Sequence, residues 1–440
     1  MKPGTFPQGW DEGCVHEVHA QCAAHTEDEA VAEDAAAFEN QSQRFMEIPN
    51  ARVPNMNSPL RAQRISCSTP RHVVRMAFLM LAVAASPVPV FSLNITVTNL
   101  TPPTADAGSA NAVNGAWQGG SITIALVDYP AAWTGSAASY IDLTPAGATG
   151  GNVYAVSGSE LGGTAIVGGH THAALWSGSA HTYTDLHPVG TLKSFVNALT
   201  ATQQGGVVFL SADVRHAALW SGTSSYVDLT PAGASQSDLN AMHGAIQAGS
   251  AFMDLPGGSK DHAALWSGTA ESFVDLHPAG ASSSSIYGYD GLHQVGYATV
   301  DGHAHAGLWS GTAESFIDLN GTNNGSWAFG VAGSWQVGQF FAGPNAQAGL
   351  WNGTPESLIN LTPYLGAEYN NAQAFGAWLD GTSLYIVGTA TGPAANSQAV
   401  LWTVVVIPEP GPLFQIAAAA ALFAIVARWK KAAKIGHSRT

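Results

Sequence analysis

Residues 262–278 read HAALWSGTAESFVDLHP, and versions of this stretch recur along the chain. The tryptophan at its centre, Trp266, has counterparts at Trp133, Trp176, Trp220, Trp309, Trp351 and Trp402, and the seven are spaced by 43, 44, 46, 43, 42 and 51 residues. Self-similarity at a period of about 40 to 50 residues marks a repeat architecture, in which each unit buries its apolar face only against its neighbours. The fold is therefore read one unit at a time.

The unit at residues 285–321 divides into four pieces, SIYGYDG, LHQVGYATVDG, HAGLWSG and ESFIDLNG. Each is about a strand long, carries apolar, β-branched or aromatic residues in short or alternating runs, and ends at a turn residue. Four antiparallel strands per unit of this length is the arithmetic of a β-propeller blade. Six complete units begin near Ala110, Val153, Phe195, Leu239, Ile286 and Trp327. A seventh supplies three strands, over residues 374–380, 383–388 and 398–406, and has no fourth. At the other end, residues 93–102, LNITVTNLTP, resemble the fourth-strand segment SYVDLTP at 225–231. An N-terminal strand completing the last blade closes the ring and removes two exposed sheet edges. The expected fold is all-β, a seven-bladed propeller of four-stranded antiparallel blades over residues 93–406.

Composition limits the function. The 440 residues are 46% apolar and 10% charged, enough material for a core, with 49 glycines and 23 prolines to punctuate short strands. A formal net charge of −15 excludes the basic surface that tracking a phosphate backbone requires, so no nucleic-acid partner is expected. Between residues 93 and 406 the cations are Lys193, Arg215 and Lys260 alone. The three cysteines, Cys14, Cys22 and Cys67, precede the repeats, which rely on neither disulfides nor cysteine-bound metal.

Three recurring slots carry side chains with chemistry. The tryptophans read as packing residues between neighbouring sheets, in preference to a ring of exposed sugar-stacking platforms. Four residues before each stand Tyr129, His172, His216, His262, His305, Gln347 and Gln398. Four imidazoles converging on the axis could bind a transition metal. Glutamine and tyrosine in the same slot favour a hydrogen-bonding role instead, and no metal or cofactor is expected. The acidic slot holds Asp142, Asp185, Asp228, Asp275 and Asp318, with Asn99 and Asn360 in the other two units. Alternation with asparagine suits a turn or strand-end cap, and the spacing of a calcium loop is absent. His187 and His277, each two residues beyond one of these aspartates, read as loop variation.

HAALWSG and FVDLHP resemble the extracellular HAF-type repeat family, with alanine here where that family has an aromatic after its His-Ala pair. The likeness covers the repeat region and implies a secreted architecture rather than an activity.

Both flanks carry export features. Residues 1–70 contain no repeat and are acidic between Glu27 and Glu39, as expected of an over-extended start or a disordered prefix. Residues 71–92 read as a signal peptide, with Arg71, His72 and Arg75 as the basic region, MAFLMLAVAA at 76–85 as the apolar region, and cleavage near Val90-Phe91-Ser92. After Pro408-Glu409-Pro410 comes the apolar run 413–427, LFQIAAAAALFAIVA, then Arg428, Trp429, Lys430 and Lys431. Fifteen helical residues reach about 22 Å, so flanking Trp429 and snorkelling lysines would complete a transmembrane helix with its basic end in the cytoplasm.

This order over residues 407–440 resembles the PEP-CTERM sorting signal of Gram-negative bacteria. The resemblance implies recognition at Pro408, Glu409 and Pro410 by an exosortase, a membrane cysteine protease. It also implies a transient membrane anchor, stop-transfer charge at Arg428, Lys430 and Lys431, and delivery to the surface or an exopolysaccharide matrix. The expected function is a non-enzymatic surface protein acting in adhesion, matrix assembly or binding of surface glycans. The alternative is a secreted polysaccharide hydrolase or lyase with loop carboxylates, first among them Asp254, Asp261, Asp290 and Asp301.

Overall fold

The computed structural model of the chain describes residues 91–408, apart from 179, 257 and 393–395. Seven four-stranded antiparallel sheets account for every strand among them. Blade 5 is typical: Ser284–Tyr289, Gln294–Val300, His303–Trp309 and Ile317–Asp318 follow one another outward in chain order. The innermost strands are Ala107–Asn114, Ala148–Ser157, Lys193–Leu199, Ala234–His243, Ser284–Tyr289, Ser326–Ala332 and Asn371–Asp380. Each touches the next, and the seventh touches the first, so they form a closed circle.

Every inner strand carries a β-bulge at the same register position, adding one unpaired residue that sharpens the local twist. The added residues are Asn111, Tyr154, Asn197, Asn240, Tyr287, Phe329 and Phe375. They link the circle around its axis. Asn111 Nδ2 donates to Asn152 Oδ1 and Val153 O of the next blade, Asn197 to Leu239 O, and Asn240 to Ile286 O. On the opposite arc Tyr287 meets Phe329, which meets Phe375, with ring centres 5.6 and 5.8 Å apart. Opposite the residue before each bulge stands a glycine of the second strand: Gly120, Gly163, Gly206, Gly249, Gly296, Gly338 and Gly388. A β-carbon there would lie 1.9 to 2.0 Å from an inner-strand carbonyl oxygen, closer than any side chain can approach.

The blades cohere through two parts of the repeat that the chain keeps apart. The leucine after each acidic-slot residue packs in one apolar cluster with the tryptophan of the following blade: Leu100 with Trp133, Leu143 with Trp176, Leu186 with Trp220, Leu229 with Trp266, Leu276 with Trp309, Leu319 with Trp351 and Leu361 with Trp402. All seven indoles are essentially inaccessible. Trp176 and Trp309 also donate their Nε1 hydrogen to the backbone oxygens of Leu143 and Leu276.

The fourth segment of most units is shorter than the pattern predicts. ESFIDLNG forms a one-turn 3-10 helix, Ala313–Ser315, and a two-residue strand, Ile317–Asp318. Ser315 Oγ donates to Thr312 O and accepts from the Ser310 N–H, which turns the chain before it can extend the sheet edge. A short outer strand offers little backbone for edge-to-edge pairing.

Blade 7 closes the ring as the repeat count requires. Its strand order is Phe91–Asn99, Ser397–Pro408, Ser383–Thr391 and Asn371–Asp380, from the outside inward. Asn99 Nδ2 donates to Gln398 Oε1, the Leu100 N–H to Ala399 O, and the Ala399 N–H to Thr101 Oγ1, joining residues about 300 positions apart in the chain. The closing strand begins at Phe91, two residues ahead of the expected Leu93, and its partner runs on to Pro408.

Candidate functional site

The two polar slots of the repeat, read separately in the sequence, meet in the structure. The slot residue four before the tryptophan lies on the third strand of its blade, and the acidic-slot residue ends the short fourth strand beside it. His172 Nδ1 lies 2.8 Å from Asp185 Oδ2, His216 2.6 Å from Asp228, His262 2.8 Å from Asp275 and His305 2.7 Å from Asp318. The uncharged units reproduce the contact, with Asn360 Nδ2 donating to Gln347 Oε1 in blade 6 and Asn99 to Gln398 in blade 7. The carboxylate also caps the turn that follows, since Asp185, Asp228, Asp275 and Asp318 each accept the N–H two residues on, as Asp142 does from Thr144. At Asp228 and Asp275 burial works to raise the carboxyl pKa. The imidazole and turn N–H donors outweigh it and hold both carboxyls below their ordinary value.

A third polar contact links each of blades 2 to 5 to the next. The N–H after the histidine slot donates to a hydroxyl on the following inner strand: Ala173 to Ser194, Ala217 to Ser237, Ala263 to Ser284 and Ala306 to Ser326. In blade 1 the equivalent position is Pro130, which has no N–H to give. Thr144 Oγ1, in the turn after the fourth strand of that blade, is buried with no hydrogen-bond partner.

His187 and His277, read as loop variation, do stand in the loops after the fourth strands, and there each has specific partners. His187 stacks on His172, and His277 on His262, each with ring centres 4.0 Å apart. His277 Nε2 lies 3.1 Å from Ala281 O, so it carries the proton, and Nδ1 accepts from the Ser284 hydroxyl. His187 Nδ1 likewise lies 2.8 Å from the Ser194 hydroxyl, while its Nε2 has only a long contact, 3.5 Å, to the Thr191 hydroxyl. Burial first, then the neighbouring imidazole, lowers the pKa of both His187 and His277, which favours the neutral form of the second ring in each stack.

Serine, histidine and aspartate side by side suggest a hydrolytic triad, but the wiring excludes one. Asp275 bonds to His262, whereas Ser284 bonds to His277, and stacked rings do not pass a proton between them. Ser284 and Ser194 are also wholly inaccessible to substrate. The Ser284–His277 and Ser194–His187 contacts clasp one blade to the next, and the His262–Asp275 and His172–Asp185 pairs lie within one blade.

The four carboxylates outside the repeated slot divide between the two ends of the blades. Asp254 accepts from Ser235 and Ser259 in a loop of blade 4. Asp261 lies within the third strand of the same blade, Lys260–Trp266. Asp301 sits at positive φ in the tight turn after Gln294–Val300, at the same end of the blades. Asp290 follows Ser284–Tyr289 at the opposite end, accepting from the Leu292, His293 and Gly333 N–H groups. Among the described residues no group of three or more His, Cys, Asp or Glu side chains is arranged to hold a metal ion.

A polar well of about 70 Å³ opens at the closing seam between blades 7 and 1, walled by Ser109, Ser121, Thr123, Asp128, Gln373 and Thr389 among others. Burial raises the Asp128 carboxyl, partly offset by the bond from the Thr123 hydroxyl at 2.7 Å. The expected sorting residues Glu409, Pro410, Arg428, Lys430 and Lys431, the apolar run 413–427 and nearly all of the expected signal peptide lie outside the described residues. Pro408 ends the last strand. No helix among the described residues is long and apolar enough to cross a membrane.

Sequence reasoning missed the bulge residues and their glycines, although the signal is present: the glycine stands 13 or 14 residues before the tryptophan in six of the seven units. It also missed the glutamine that opens the second strand. Gln118, Gln204, Gln247, Gln294 and Gln336 each accept an N–H from the glycine two residues after the tryptophan.

No family model matches the chain, and no curated protein matches it. Among solved structures, the chain is similar to a puromycin-hydrolyzing peptidase of Mycobacterium tuberculosis, at 14% identity and a TM-score of 0.48 over 70% of this chain and 54% of that one. It is similar to an acylaminoacyl peptidase of Pyrococcus horikoshii at 10% identity and 0.47, over 71% and 55% of the two chains. TolB of Acinetobacter baumannii matches at 11% identity and 0.35, over 55% and 63%. The chain thus spans between 54% and 63% of the length of these proteins.

Proposed function

We propose that the protein is an exported seven-bladed scaffold, sorted to the cell surface or extracellular matrix, that binds surface or matrix glycans without transforming them. One observation carries the binding reading. The recurring histidines and aspartates are paired with each other inside their blades, and the recurring tryptophans are buried between blades. Of the remaining suspect carboxylates, Asp254, Asp261 and Asp301 lie at one end of blades 4 and 5 and Asp290 at the other. What faces solvent is then an array of loops and shallow seams on a rigid ring, and loops on a rigid scaffold serve recognition. Export and sorting are supported by the resemblance of residues 407–440 to the PEP-CTERM signal and by the basic-apolar order of residues 71–92. In this reading Pro408, Glu409 and Pro410 engage an exosortase, and the helix with Arg428, Lys430 and Lys431 anchors the chain in the membrane until it is released.

Two measurements on the full-length gene product test this. Intact mass of the mature protein from its native host is expected to lack both the 71–92 segment and the tail beyond the Pro-Glu-Pro motif, and an untrimmed chain overturns sorting. A neutral and acidic glycan array read together with product analysis is expected to give retention without cleavage. Release of shortened glycan overturns the non-enzymatic reading in favour of a hydrolase or lyase.

A further inference from the structure

The seam between blades 4 and 5 differs from the others at the end of the ring where the first and second strands of each blade are joined. The residue two beyond the bulge is Val113, Val156, Leu199, Met242, Val331 or Ala377 in six blades and Tyr289 in blade 5. Tyr289 is fixed by its neighbours. Its hydroxyl donates to Gly291 O at 3.1 Å, and its ring edge meets His243 with centres 6.1 Å apart. The turn after it presents Leu292, which is 67% exposed. That turn is also held in place. Asp290 accepts from the Leu292 and His293 N–H groups with one oxygen and from Gly333 of blade 6 with the other. On its other side the His243 ring packs so closely that a β-carbon on Gly291 would meet it at 2.6 Å.

Tyr289 and Leu292 thus form one wall of a groove of about 300 Å³ whose other lining includes Val274, Ser267, Ser310 and Gln294. That volume is at the lower end for a small-molecule pocket, enough for a single ring. None of the lining residues is charged. An ionic ligand would find no counter-charge in the groove, and burying an unpaired charge is costly. A purely apolar ligand would leave the serine hydroxyls and the Gln294 amide without partners. Gln294 Oε1 already accepts the Gly311 N–H, while its Nε2 has only a long contact, 3.5 Å, to Leu292 O. A sugar ring has both characters, with C–H groups on one face for an aromatic and aliphatic wall and hydroxyls at the edge for polar side chains.

We propose that this groove is a subsite for one uncharged sugar ring, lying against Tyr289 and Leu292 with its hydroxyls toward Ser267, Ser310 and Gln294. The assignment rests on the reading of the propeller as a glycan-binding module and names where and what it binds. The test is calorimetric titration of the full chain with neutral gluco-, galacto- and manno-oligosaccharides and with an acidic polyuronate. It compares wild type with Leu292→Ser, Tyr289→Leu and, as a control, Val189→Ser, whose side chain is 99% exposed on a distant loop. At least one neutral oligosaccharide is expected to bind, with affinity reduced tenfold or more in the first two variants and unchanged in the third. Leu292 makes few buried contacts, so its variant reads the site even if Tyr289→Leu lowers stability. Neutral binding that all three variants retain overturns the subsite and leaves the glycan reading intact. Binding of the polyuronate alone overturns the uncharged assignment, and absence of all binding overturns both.

Discussion

The imidazole of His277 lies on that of His262, 4.0 Å between ring centres and 6° from parallel, although the first belongs to a loop and the second to a strand. The lower ring donates to Asp275 and the upper one accepts from Ser284, so the pair ties blade 4 to blade 5 only while His277 is neutral. A second stack, His172 on His187, does the same between blades 2 and 3.

Stability should therefore fall as the solution is acidified. The folded-state pKa of His187 and His277 is lowered, so between that value and the ordinary 6.5 the unfolded chain binds more protons than the folded one. Their contribution is complete above pH 6.5 and is lost as pH falls through the folded value. Asp228 and Asp275, also lowered, add a second loss below 3.8. Melting temperature against pH should show both limbs, and His187→Gln with His277→Gln should flatten the upper one only.

The clasp of blade 6 predicts a rescue. Replacing His262 by Gln or Asp275 by Asn alone should cost about 1 kcal/mol, because each leaves a mismatched partner. The double variant recreates the Gln347 and Asn360 pairing. A double-mutant cycle in denaturant should give a favourable coupling of about 0.5 to 1 kcal/mol, and strict additivity would mean that the clasp is not energetically coupled.

Gly249→Ala places a methyl group 1.9 Å from the carbonyl oxygen of Asp238. The inner strand must shift, and a loss of about 3 kcal/mol or more is expected. Gly343→Ala, with nothing within 4 Å, is the control and should stay within about 0.5 kcal/mol.

Leu100 follows the closing strand and packs fully buried in the cluster of Trp133. Leu100→Ala should cost about 2 to 5 kcal/mol, as for other buried leucines. Leu126→Ala, at a residue 96% exposed, should cost close to nothing. Equal effects in chemical denaturation would show that the ring does not depend on its N-terminal closure.

Arg215 bonds Asp238 of the next blade through Nε at 2.7 Å and Nη2 at 2.9 Å, and Asp238 is 2% exposed. Arg215→Ala strands that carboxylate, for a predicted loss of about 3 to 5 kcal/mol. Pairing Arg215→Met with Asp238→Leu should recover most of it, which thermal denaturation would show.

What the sequence by itself determined is the part of this protein set by local, periodic chemistry. The recurrence of Trp266 and its six counterparts set the blade count, and the alternation of short apolar runs with turn residues set the strands. The missing fourth strand at one end and the surplus one at the other set the closure, because an open sheet edge must be paired. Contacts across seams were decided only by the tertiary structure. The stretch HAALWSG gives no sign that its histidine meets the aspartate 13 residues on while its tryptophan meets a leucine of the preceding blade. Nor does it show that Tyr289, His243 and Leu292 share one seam, since Leu292 lies 49 residues from His243 in the chain. Repetition fixes which units stack, but each side chain's partner depends on the angle at which one twisted sheet meets the next, and that angle exists only once the ring is closed.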